Sequence, residues 1–141
     1  MKNILEVKEL KGVRVLVRLD LNVPIQNSVI LDDFRIRKSM PLINYLLEKE
    51  AQIILISHIE NKDNPTLKPV AEYLKKQGID CIFEENYKKV LNSKDKVILL
   101  ENLRKYEGEK NNEKKFAKEL ASLADIYVNE AFTVSHREHA S

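Results

Sequence analysis

The sequence predicts an α/β domain built on a mostly parallel sheet, and three observations point that way. Short β-branched apolar runs recur along the chain, at Val13 to Val17, Ile53 to Ile56, Asp80 to Phe83, Val97 to Leu100 and Ile126 to Val128. They are apolar throughout rather than alternating, as strands covered on both faces are. Amphipathic helical stretches separate most of them, which suits parallel strands joined by crossovers.

The elements follow in order. After the first strand comes a long loop, and a helix begins near Asp33 and runs to Lys49 with Ile36, Met40, Ile43 and Leu47 on one stripe. Pro41 falls inside it, where a proline removes a hydrogen bond and predicts a local kink. The second strand leads through the polar stretch Glu60 to Pro65 to a second helix, capped by Thr66 or Asn64 and running to about Gln77. Val70 and Leu74 face inward, and Gly78 stops it, since glycine readily takes the left-handed conformation that ends helices. Tyr87 to Leu91 is a short third helix. Asn112 opens a fourth, with Glu113 in its first turn and Phe116, Leu120 and Leu123 as its apolar stripe. The order of strands in the sheet is not legible from the pattern.

Composition narrows the function. The chain has 141 residues, enough for one domain, with 43% apolar and 33% charged residues. Its apolar runs are far shorter than the roughly 20 residues of a membrane span. The net charge of +2 offers no broad basic field for nucleic acid. The N-terminus lacks the apolar segment of a secretory signal, so a cytoplasmic protein is expected. The single cysteine, Cys81, fits a reducing compartment and rules out cages of paired cysteines.

In open parallel sheets ligands sit beyond the carboxyl ends of the strands. There the sequence places Arg18, Asp20 and Asn22 after the first strand, and Ser57 and His58 after the second. Glu101, Asn102 and Arg104 follow the fourth; Asn129, Glu130, His136, Arg137 and His139 follow the fifth. With Arg35 at the start of the first helix, four of the chain's six arginines and all three histidines gather at one edge. Arginine's planar fork suits phosphates and carboxylates, so this edge reads as an anion cleft for a small phosphorylated or carboxylated substrate. Loops are polar in any protein, and that plainer reading stands beside it. Asp20, Glu101 and Glu130 could form an acid/base set, although carboxylates among arginines more often orient them. His58, His136 and His139 do not match a metal-ligand spacing, and no metal site is expected. With only three glycines the chain has no glycine-rich phosphate loop.

Five segments then become specific: RLDLNVP at 18–24, DDFRI at 32–36, LLENLR at 99–104, LADIYVN at 123–129, and Ala131-Phe132 with HREHAS at 136–141. In order and spacing they resemble phosphoglycerate kinase over nearly the whole chain. The resemblance implies a Rossmann-like three-layer domain, here the N-terminal, phosphoglycerate-binding half (residues 1–141), ending before the last part of that domain. The family transfers a phosphoryl group between ATP and the carboxylate of 3-phosphoglycerate in glycolysis. Mg-ATP or Mg-ADP would bind the absent nucleotide domain, so no cofactor is expected on this chain, which alone would be inactive.

Carried over residue by residue, the resemblance assigns Asp20 and Asn22 to the hydroxyl and carboxylate end of the substrate. It puts Arg35 beside the transferring phosphoryl as the catalytic arginine. His58, Arg104 and Arg137 would surround the substrate phosphate, with Arg18 and His136 in the same basic patch. Two places depart from the family pattern. Its Leu-Gly-Arg-Pro after the histidine is Ile59-Glu60-Asn61-Lys62 here, so Asn61 stands where a phosphate-gripping arginine belongs. Its Gly-Thr-Ala is Thr133-Val134-Ser135, a stiffer loop. The Asn61 change is expected to weaken substrate binding, and Glu60→Gly with Asn61→Arg to restore it. The alternative is a non-catalytic domain that binds small anions or a partner protein.

Overall fold

The computed structural model describes residues 7–59, 66–101 and 114–130, with side chains in the last stretch from Lys118 onward. Five strands form one sheet: β1 (Arg14–Arg18), β4 (Gln52–Ile56), β5 (Cys81–Glu84), β6 (Val97–Leu100) and β7 (Ile126–Asn129). Every pairing in it is parallel, in the order β5-β6-β4-β1-β7. Each predicted run is a strand, displaced by a residue or two at most.

The strands alternate between two buried faces. Val15, Val17, Ile53, Leu55, Val97 and Leu99 pack in one core with α1 (Phe34–Glu48) and α2 (Lys68–Lys76). Leu16, Ile54, Ile56, Ile98 and Leu100 pack in another with Val90 of the 3-10 helix Tyr87–Asn92 and with Leu120 of α3 (Lys114–Ala121). The result is three layers, helix, sheet and helix. Period-2 geometry sends successive side chains to opposite faces, so continuously apolar strands need cover on both.

Several elements differ in detail from the sequence reading. The long loop after β1 holds an antiparallel hairpin, β2 (Ile25–Gln26) with β3 (Val29–Ile30), which the apolar pattern did not predict. Asn27 and Ser28 turn it with φ of 51° and 63°; a two-residue hairpin loop needs two left-handed residues, and asparagine tolerates that conformation well. The short third helix is of the tighter 3-10 type. The N-cap of α2 is Leu67, one residue beyond Thr66, and its side chain offers nothing to cap with. Gly78 ends that helix at φ 89°, its N–H donating to the Lys75 carbonyl. Leu120 and Leu123 are buried as their stripe required. Asn64, Asn112 and Glu113 lie outside the described residues.

Cys81 begins β5 and is fully buried. Burial pushes its thiol up to about 12. In the unfolded chain the thiol ionises near its ordinary value of 9.0, while the folded chain still holds the proton. Its contribution to stability is therefore complete below that value and is lost as pH rises toward the folded one, at about 1.4 kcal/mol per pH unit in between. Urea unfolding at pH 8 and pH 10.5 is expected to show a smaller alkaline loss for Cys81→Ala than for the parent. Equal losses would show that the thiol is not desolvated.

Candidate functional site at the carboxyl edge of the sheet

Among the described residues four polar or charged side chains are buried: Arg18, Ser57, His58 and Glu101. All four stand at or just beyond the carboxyl ends of β1, β4 and β6. Burying polar groups is costly unless they are well satisfied, so their collection at one edge marks a built site. The chain runs from β1 to β4 on one side and returns with β7 on the other. The switch point therefore lies between the ends of β1 and β7, where ligands bind in open α/β sheets.

Backbone bonds carry the ladder past the strand ends and fix the residues that follow. Leu19 N–H donates to Ile56 O at 2.9 Å, Glu130 N–H to Arg18 O at 2.8 Å and Glu101 N–H to Glu84 O at 3.0 Å. The Ser57 hydroxyl accepts from Leu21 N–H at 3.0 Å and donates to His58 O at 3.2 Å, tying the exit of β1 to that of β4. Ser57 carries this role although the sequence reading gave it none. The only signal was its place between a buried strand and a histidine.

Arg35, in the first turn of α1, reaches back over the β1 exit. Its Nη1 donates to the Asn22 carbonyl at 2.6 Å and to Asp20 Oδ1 at 3.3 Å, and Asn22 N–H donates to the same Asp20 oxygen. Asp20 thus orients an arginine, as carboxylates in such a set do. Among the described residues the Arg35 bonds run through Nη1 alone, so Nε and Nη2 are available to an anion. The guanidinium stands between two hollows. One, of about 370 Å³, is lined by Leu19, Asp20, Lys38 and Glu130; the other, of about 420 Å³, by Asn22, Pro24 and Asp32.

The helix that carries Arg35 is anchored at its start. Asp33 accepts from the Tyr73 hydroxyl on α2 and from Arg37 Nε at 2.8 Å. The Tyr73 bond, then the Arg37 bond, hold the Asp33 carboxyl below the usual carboxylate range. Phe34 N–H donates to Asp32 Oδ1 at 2.9 Å, closing the turn into the helix.

Asp20, Asn22 and Arg35 are thus in direct contact. Arg18 ends β1 and pairs in register with Ile56, the last residue of the neighbouring strand β4, and His58 lies two residues beyond that strand end. Asn61, Arg104, His136 and Arg137 lie outside the described residues, as do Glu60, Lys62, Asn102, Thr133-Val134-Ser135 and His139. Glu101 holds the start of α2, its Oε1 accepting from Leu67 N–H and its Oε2 from the Thr66 hydroxyl. Among the described residues no three His, Cys, Asp or Glu side chains gather as a metal cage requires. No helix among them is long and apolar enough to cross a membrane.

Residues 4–141 match the family model of phosphoglycerate kinase. The chain belongs to the phosphoglycerate kinase family. A phosphoglycerate kinase of Dictyoglomus turgidum is 49% identical over 154 aligned positions, covering 99% of this chain and 39% of that protein. The cytosolic phosphoglycerate kinase of wheat, Triticum aestivum, is 47% identical over 94% of this chain and 36% of its own length. The solved phosphoglycerate kinase of Coxiella burnetii superposes with a TM-score of 0.87 at 32% identity, over 98% of this chain and 37% of that one. The chain therefore spans under two fifths of the length of these relatives. The 154 positions also exceed the 141 residues of this chain, so the Dictyoglomus protein carries extra residues inside the matched region.

Proposed function

We propose that residues 1–141 are the N-terminal, substrate-binding domain of a phosphoglycerate kinase, taking 3-phosphoglycerate at the carboxyl edge of the sheet. The observation that carries this reading is Arg35, held over the switch-point crevice by Asp20 and the Asn22 carbonyl with donors to spare. The reaction is phosphoryl transfer between ATP and the substrate carboxylate. That carboxylate is ionised at neutral pH, so attack needs no general base. Catalysis is then positioning and stabilisation of charge on the transferring group, for which arginine is suited.

In this reading Asp20 accepts from the substrate hydroxyl and Asn22 binds the carboxylate end. Arg35 meets the transferring phosphoryl, and His58, Arg104 and Arg137 hold the distal phosphate, with Arg18 and His136 completing the basic surround. Asn61 faces the same phosphate as a weaker, neutral partner. Mg-ATP supplies the phosphoryl group. With no glycine-rich loop in these 141 residues, the nucleotide is held by the family's other domain, and this chain alone binds without turnover. The setting is the cytoplasm, as for the wheat relative described as cytosolic.

Isothermal titration of the 141-residue chain with 3-phosphoglycerate and with inorganic phosphate tests this, alongside a coupled assay with Mg-ATP. Saturable, salt-sensitive 3-phosphoglycerate binding stronger than that of phosphate supports it. Equal, weak binding of both anions favours a non-catalytic anion or partner-binding domain. ATP-dependent turnover by the purified chain would overturn the division of labour.

A further inference from the structure

We infer that Ser57 is a positioning residue whose hydroxyl replaces a backbone rung between β1 and β4 and so sets the distance from the Asp20–Asn22 turn to His58; this rests on the substrate reading above. In a parallel ladder the rungs are evenly spaced and alternate residues form them. Leu19 N–H donates to Ile56 O at 2.9 Å, so the next rung in that direction would run from Leu21 N–H to His58 O. The structure has a side-chain oxygen there instead. Leu21 N–H donates to Ser57 Oγ at 3.0 Å, and that hydroxyl donates to His58 O at 3.2 Å. Two hydrogen bonds in series stand where one of about 2.9 Å belongs, so the two segments part at this point while both backbone groups stay satisfied. Ser57 is fully buried, where an unmet N–H or carbonyl would be costly.

The replaced rung lies between residues assigned to opposite ends of the substrate. Leu21 stands between Asp20 and Asn22, which are assigned to the hydroxyl and carboxylate end. Its carbonyl accepts from Val23 N–H at 2.9 Å, so both of its backbone groups are held. His58, assigned to the phosphate end, directly follows Ser57. Leu21 and Ile59 are buried in the same core, which anchors each segment from below. One oxygen atom then fixes the separation between them. A ladder that ran on by one more rung would draw His58 towards Asp20 and Asn22 and narrow the crevice. A ligand that spans both ends depends on that width, whereas a small anion held at one end does not.

The test titrates the parent chain, Ser57→Ala and Ser57→Thr with 3-phosphoglycerate and with inorganic phosphate, each at a temperature well below its own Tm. Ser57→Ala is expected to weaken 3-phosphoglycerate binding about tenfold, as loss of one ordering hydrogen bond does, and to leave phosphate binding unchanged. Ser57→Thr keeps the hydroxyl and is expected to keep the parent's preference between the two. Weakening of both anions by the same factor, or of neither, overturns the positioning role and leaves Ser57 a buried structural link. The rung is also read without ligand, from the NMR scalar coupling across a hydrogen bond between the Leu21 amide nitrogen and the His58 carbonyl carbon. That coupling is expected to be absent from the parent and present in Ser57→Ala. Its presence in the parent, or its absence from the variant, overturns the spacer, and the parent measurement keeps the proposal open to refutation if Ser57→Ala does not fold. Should the parent bind no 3-phosphoglycerate, the substrate reading falls, and the coupling alone decides whether the spacer stands.

Discussion

Leu55→Ala is expected to cost about 2–5 kcal/mol of folding stability, the range for removing a buried leucine without full collapse of the cavity. Leu55 is fully buried in β4, the central strand, in register with Val17 of β1 and Leu99 of β6. Its core includes Ile36 and Leu46 of α1 and Leu74 of α2, so the gap has walls that cannot all move inward together. A domain of this size is stable by about 5–15 kcal/mol, so the variant loses a large share of the total. Urea unfolding followed by circular dichroism measures it. Leu31→Ala is the control: Leu31 is 60% exposed, and its removal is expected to change stability by no more than about 0.5 kcal/mol. A Leu55→Ala loss as small as the control's would mean that the sheet is not covered on the α1 and α2 side.

Arg35→Met is expected to weaken 3-phosphoglycerate binding on the order of 10- to 100-fold, the equivalent of one hydrogen bond to a charged group. Its effect on stability is expected to be small. The Arg35–Asp20 pair is part-exposed, with side chains 46% and 22% accessible, and such pairs contribute about 0–1 kcal/mol after screening. Affinity and Tm should therefore separate. Arg35→Lys is expected to behave like Arg35→Met, because an ammonium cannot serve the Asn22 carbonyl, Asp20 and an anion through one rigid fork. The difference between parent and variant should shrink as salt rises. Titrations at 50 and 300 mM salt check both points; equal affinities for parent and Arg35→Met would remove Arg35 from the substrate site.

The two predictions differ in how legible their residues were. Leu55 belongs to a run with no polar residue to place on a solvent face, so its burial on both sides was readable directly. Arg35 was readable as an arginine at a helix start, but its anchoring on Asp20 and Asn22 depends on how a loop of 15 residues folds back. That loop contains the hairpin turned by Asn27 and Ser28. Its two-residue strands are too short to show a hydrophobic period, and the sequence reading left this stretch as loop.

Glu101 shows the same division. Its place after a strand was plain in the sequence, and a structural role was the better reading among the alternatives. Its partners, Thr66 and Leu67, could not be named, because a cap supplied from 34 residues away leaves no local spacing to recognise.

By itself, then, the sequence determined the layer architecture, since strands apolar on both faces and helices apolar on one have few ways to bury those surfaces. It also determined which residues follow the strands, and in-register motifs identified the family. Only the tertiary structure decided the order β5-β6-β4-β1-β7, and with it the switch point between β1 and β7. Local pattern records which face of a strand is buried but not which strand lies beside it. Neighbours are chosen by long-range pairing and by the packing of helices across the whole sheet. The contacts of Ser57 and Glu101 follow from that choice, because each joins the end of one strand to a segment distant in the chain, whereas those of Arg35 follow from the fold of the loop between β1 and α1.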